Sequence, residues 1–133
     1  MALTPEQLEF LTEHRLAALS TGRKDGSPQT SMVMYGWDGE NVVLTFRKWS
    51  AKRHNIARQP RVALLVPDGR RALTVYGEAE LLEDDPGRVD AFMDLMAGMG
   101  MQGEKSRQEF AAQLDEEGRV LARVRPTTVE LHD

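Results

Sequence analysis

Apolar residues recur along this chain with two periods, and the switches between them mark its elements. Leu8 and Leu11 are spaced for one face of a short helix that ends near Glu13. Thr4 stands at the N-cap, Pro5 at the first helical position and Gln7 where a capping box needs it. Leu3 and Leu8 occupy the two positions of a hydrophobic staple. The pattern then becomes that of strands. Residues 16–21 form a short apolar run, followed by a turn-rich segment containing Asp25-Gly26-Ser27-Pro28. Strands are predicted at 29–37 and 41–46, joined by the tight turn Asp38-Gly39-Glu40. These turns imply a three-stranded antiparallel meander.

A short helix from Ser50 ends before Pro60, and strands follow at 62–66 and 73–81 around Pro67-Asp68-Gly69. Gly77 inside the second of these predicts a bulge or a close backbone approach. Glu83-Asp84-Asp85-Pro86 reads as a solvated helix start, leading into a helix at about 86–97. The Gly98-Met99-Gly100-Met101-Gln102-Gly103 segment breaks that helix, with its methionines as core filler. A more polar helix spans about 104–116 and ends at Gly118, and residues 120–124 and 128–131 give a last strand or strand pair around Pro126. Strands dominate and helices decorate them, so the class is α+β, mostly β, in one domain over residues 1–133.

Composition narrows the function. The 133 residues carry 17 Lys and Arg against 21 Asp and Glu, which argues against a general nucleic-acid binder. Cysteine is absent, and His14, His54 and His132 show no ligand spacing, so no metal site is expected. Neither a signal peptide nor an apolar run of spanning length is visible, and a cytoplasmic protein with no membrane partner is the expectation.

One segment departs from this acidic average. Between Arg47 and Arg61 lie six cations, Arg47, Lys48, Lys52, Arg53, Arg58 and Arg61, and no carboxylate. A charged face that serves solubility usually mixes signs to gain pairs four residues apart, whereas here the acids are excluded. The cluster also straddles a strand end and a helix start. Free N–H groups and the helix dipole at such a start add to the side-chain charge, which is a recipe for holding a phosphate.

Four stretches, in order, carry a resemblance. Asp25-Gly26-Ser27-Pro28, Val42-Val43-Leu44-Thr45-Phe46, the run opening Ser50-Ala51-Lys52-Arg53-His54-Asn55, and Tyr76-Gly77-Glu78-Ala79-Glu80 resemble the pyridoxamine-phosphate-oxidase-like split barrels. The nearest branch is the flavin/deazaflavin oxidoreductases that use coenzyme F-420. The resemblance implies a six- to seven-stranded antiparallel split β-barrel with short helices, paired as a homodimer with the cofactor at the subunit interface. It implies that Ser50 and Lys52 hold the cofactor phosphate, with Arg53 and Asn55 nearby. Thr45, Phe46 and Arg47 would line the ring and its polar tail, and Ser31, Met32 and Val33 would face the ring system. The implied activity is hydride transfer between reduced coenzyme F-420 and a small organic acceptor. No acid–base pair is assigned, and Arg47 is the candidate for stabilising charge on the acceptor.

Two alternatives stand beside it: an FMN-dependent oxidase or reductase of the pyridoxamine phosphate type, and a non-catalytic binder of flavin, deazaflavin or haem. Thr30 and Tyr35 occupy second-strand positions where the oxidase pattern has an Arg and a Lys. Ala51 stands beside Lys52 in place of an Arg, and Ala72 in place of a Gln. These departures favour the deazaflavin branch. A homodimer is also expected because Met32, Met34 and Val43 leave apolar strand faces with little of their own chain to cover them.

Overall fold

Inward and outward side chains alternate along six strands, and the inward set is apolar enough to close them round one core. The computed structural model describes residues 2–101 and 103–133, so Gln102 of the expected helix break lies outside the described residues. The elements run α1 (Pro5–Glu13), β1 (Leu16–Gly22), β2 (Pro28–Trp37), β3 (Val42–Arg47), α2 (Ala51–Arg58), β4 (Arg61–Asp68), β5 (Arg71–Leu82), α3 (Gly87–Gly98), α4 (Arg107–Glu117) and β6 (Arg119–His132). The strands form a closed antiparallel barrel in the order β1-β2-β3-β6-β5-β4.

Leu19, Tyr35, Leu44, Leu64, Leu73 and Val124 fill the barrel. Tyr35 brings a hydroxyl inside, and it donates to the Leu11 carbonyl at 2.6 Å, which ties α1 over one end. A second cluster lies outside the wall: Val43 and Leu121 point outward under Phe92 and Leu95 of α3 and Phe110 and Leu114 of α4. The crossing of α3 over β2 depends on glycine. A Cβ on Gly36 would stand 2.8 Å from the Leu95 carbonyl oxygen, and one on Gly98 the same distance from that of Trp37.

The capping box of α1 and the left-handed Gly118 that ends α4 form as the sequence predicts. The register between β5 and β6 shifts at Tyr76/Gly77, and Pro126 sits opposite Gly77. This single bulge lets β6 run through Pro126 as one strand of 14 residues instead of a pair.

Other expectations need correction. Leu8 is 40% exposed, and Phe10 is buried beside Leu11 in its place. Ser106 and Glu109 form a capping box, so α4 begins at Arg107, three residues later than its polarity predicted. Val43 is not an uncovered strand residue, because α3 and α4 seal it completely. The acidic turn is more than a solvated helix start. The buried Arg88 pairs with Asp85 and with Asp115, each at 2.9 Å, and joins the start of α3 to the end of α4. The Arg88 hydrogen bond holds the Asp85 carboxyl below its usual range.

Candidate functional site

The outward residues of β2 and β3 build the floor of a cavity. On β2, Val33 and Tyr35 turn into the barrel while Met32 and Met34 turn out. On β3, Leu44 and Phe46 turn in, and Thr45 and Arg47 turn out. The chain then makes a two-residue turn into α2. There Ser50 is the N-cap: its hydroxyl donates to the Arg47 carbonyl at 2.8 Å and accepts from the Arg53 N–H at 3.4 Å. Strand end and helix start are thus locked together at the point where the cations gather.

A cavity of about 430 Å³ opens over this floor, walled by α3, the segment after it and α4. Its chemistry is divided. Phe92, Leu95 and five of the seven methionines (Met32, Met34, Met96, Met99 and Met101) make an apolar wall. Arg47, Ser50, Lys52, Gln113, Glu117 and Arg119 make a polar part with three cations and one acid. Such a division suits a ligand with an apolar ring system and an anionic tail.

Seven of the ten sequence-predicted residues line this cavity: Met32, Val33, Thr45, Phe46, Arg47, Ser50 and Lys52. Ser31, Arg53 and Asn55 do not. Ser31 turns its hydroxyl inward from β2, where it is buried without a hydrogen-bond partner. Arg53 forks onto Glu83, from the connection after β5, at 2.9–3.1 Å. Asn55 is buried, donates to Thr21 Oγ1 at 3.0 Å and accepts from Arg58 at 3.1 Å, so it fastens α2 to β1. The departures Thr30 and Tyr35 lie off the cavity lining as well, since Tyr35 is enclosed in the barrel.

The basic island is therefore less uniform in space than in sequence. Arg58 caps the Gly22 carbonyl at 2.8 Å, Arg53 is spent on Glu83, and Arg47 donates to the Glu117 carbonyl. Arg47 also stands 6.0 Å from the centre of the Trp49 ring, which is 63% exposed. Among the described residues, Arg53 alone of the six forms an ion pair, Arg47 and Arg58 are held by carbonyls, and of the remaining Lys48, Lys52 and Arg61 only Lys52 lines the cavity. Lys52 is thus the uncommitted charge of the site.

Gln113, Glu117 and Arg119 were not anticipated. They come from α4 and the start of β6, more than fifty residues beyond Lys52, and no local pattern marks them. Arg119 Nε donates to Glu117 Oε1 at 2.9 Å, and Gln113 Nε2 donates to Glu117 Oε2 at 3.0 Å. Chiefly through the Arg119 bond, and then through Gln113, the Glu117 carboxyl is held below its usual range.

The family model described as pyridoxamine 5'-phosphate oxidase matches residues 3–133. No curated protein matches the chain significantly. Among solved structures, one titled F420 reductase is 28% identical, with a TM-score of 0.72, covering 96% of this chain and 98% of its own. A conserved hypothetical protein from Mycobacterium tuberculosis is 23% identical with a TM-score of 0.76, covering 100% of this chain and 86% of its own. A haem storage protein from Vibrio cholerae is 22% identical with a TM-score of 0.69, covering 99% and 94%. The last two show a shared fold.

Proposed function

The chain belongs to the pyridoxamine 5'-phosphate oxidase family, and on that premise we propose that it is a coenzyme F-420-dependent oxidoreductase acting on a small organic acceptor. The observation that carries this reading is the divided cavity, apolar on one wall and cationic at Arg47, Lys52 and Arg119. Its likeness over nearly the whole chain to a protein titled F420 reductase supports the choice of cofactor.

The donor set fits such a group. Lys52 is free to pair with a phosphate, and the first N–H groups of α2 behind Ser50 add their dipole. Arg47 and Arg119 extend the positive charge beyond one phosphate, toward the carboxylates of a longer tail. Ser50 holds the α2 start in place through its bonds to Arg47 and Arg53. Met32, Met34, Phe92 and Met96 exclude water from the ring and take up its shape. When bound, the deazaflavin supplies two-electron hydride chemistry, and the protein supplies position and electrostatics. Arg47 is the side chain in this site suited to stabilise negative charge on the acceptor.

The working form we propose is a cytoplasmic homodimer. Met32 and Met34 line the cavity and also belong to an exposed apolar sheet face, so a second copy on that face would close the cavity mouth. Among the described residues, no helix is long and apolar enough to cross a membrane.

Turnover tests the reading. Reduced coenzyme F-420 mixed with the protein and a panel of neutral organic acceptors should be oxidised with saturation in acceptor. Tight binding without oxidation by any acceptor would make the protein a carrier, and a tightly held yellow flavin on purification would move it to the FMN branch.

A further inference from the structure

Among the described residues, Glu117 is the one acid lining the cavity, and its position runs against local preference. It closes α4 after Asp115 and Glu116, and the last turn of that helix contains no base. Three carboxylates at the negative end of a helix dipole are locally unfavourable. Asp115 finds its compensation in Arg88. Glu117 finds it inside the cavity, where its carboxylate accepts from Arg119 and Gln113 and its carbonyl accepts from Arg47. One residue therefore engages both arginines of the site, while Lys52 stays free.

The bond to Arg119 uses Nε, which leaves most of the guanidinium's five N–H donors for another acceptor. The pair is also partly open, with side-chain exposures of 27% for Arg119 and 33% for Glu117.

We propose that Glu117 is a resident counter-anion that an anionic ligand displaces from Arg119, and that this exchange makes the site selective for ligands with more than one negative group. The proposal rests on the reading that the cavity takes an anionic ligand. A first negative group pairs with Lys52 beside Ser50 and leaves Glu117 in place. A second gains the undivided charge of Arg119 only by taking it from Glu117, because until then the guanidinium is shared with that carboxylate. Neutral ligands gain nothing from the exchange, and singly charged ones little.

Tripolyphosphate, which has several charges and no ring, tests this apart from the choice of cofactor. By calorimetry, Glu117→Gln should bind it about tenfold more tightly than the parent, since the competing charge is gone while the side-chain volume is kept. Glu116→Gln removes the same charge from the exposed neighbouring residue and should stay within about twofold of the parent, because exposed charges are screened. The gain should vanish in the Arg119→Gln background. In the parent protein itself, tripolyphosphate should shift the NMR signals of the Arg119 Nε–H and the Gln113 side-chain amide. Equal gains for the two Glu variants, a gain that survives Arg119→Gln, or unmoved Arg119 and Gln113 signals would each overturn the proposal. If these results hold while coenzyme F-420 fails to bind, only the cofactor assignment falls.

Discussion

On the β3–β6 side of the barrel, the outward residues Val43 and Leu121 are fully enclosed beneath α3 and α4. On the β2–β1–β4 side, the outward residues Met34, Leu16, Met32 and Leu65 stand between 41% and 56% exposed. These four are contiguous in the sheet, since Leu16 pairs with Met34, and Ala18 pairs with both Met32 and Leu65. Both faces follow from the same period-two alternation, but only one is supplied with helices by its own chain. The cavity lies on the boundary, with α3 on the sealed side and Met32 and Met34 on the open side. An apolar face left open beside a charged cavity is what a protein completed by a second copy and a cofactor would show.

The largest effect expected is on assembly. Leu65→Glu places a charge on the open face, where an unpaired charge buried against a partner costs several kcal/mol, about enough to abolish a modest interface. Sedimentation should show the parent as a dimer at micromolar concentration and the variant as a monomer. A parent that sediments as a monomer would mean that the open face needs no partner.

The sealed face should respond in stability instead. Leu95 is fully buried, and Leu95→Ala should cost about 2–5 kcal/mol in denaturant unfolding through lost burial and the cavity left behind. Values below about 0.5 kcal/mol, the range of surface substitutions, would mean that α3 is not packed as described.

At the boundary the effect should fall on binding alone. Lys52→Ala should weaken cofactor binding by about 1.5–3 kcal/mol, roughly tenfold to a hundredfold, while the unfolding midpoint stays close to the parent's. Unchanged affinity would remove Lys52 from the phosphate site.

A smaller effect belongs to acid. The folded-state pKa of Asp85 lies below its ordinary 3.8 because of Arg88, so its pairing stabilises the α3–α4 junction fully above that value. The contribution is lost as pH falls through the lower folded value. Asp85→Asn should therefore flatten the loss of stability on acidification, as followed by thermal unfolding from pH 5 downward. An acid limb as steep as the parent's would show that the junction does not depend on this pair.

These two faces were not equally legible in the sequence. Strand positions, turns, the α1 cap and the Gly77 bulge rest on local chemistry, namely period-two alternation, Asp-Gly pairs and a Thr-Pro start, and they appear where expected. Ser50 and Lys52 were also readable as neighbours at a strand–helix junction, because the basic island is a local feature, whereas Met32 rested on the family resemblance alone. The cover over Val43 was not, since it comes from α3 and α4, more than forty residues away. The same distance hid the fate of the cations. Glu83 reaches Arg53 and the Glu117 carbonyl reaches Arg47 across the fold, so a run with no acid in sequence acquires an acid and a carbonyl acceptor in space. Asn55 looked like a ligand residue because it neighbours the island, but burial made it a structural anchor to Thr21.

In the proposed function, the cationic part of the cavity, anchored at Lys52 and extended by Arg47 and Arg119, receives the long anionic tail of a deazaflavin. Fluorescence titration of the purified protein with coenzyme F-420 and with FMN, each at two ionic strengths, tests it most directly. Coenzyme F-420 should bind more tightly than FMN and lose affinity more steeply as salt rises, because its several charges depend on contacts screened over about 8–10 Å at ordinary salt. FMN binding as tightly as coenzyme F-420 or more so, or affinities that ignore salt, would contradict it.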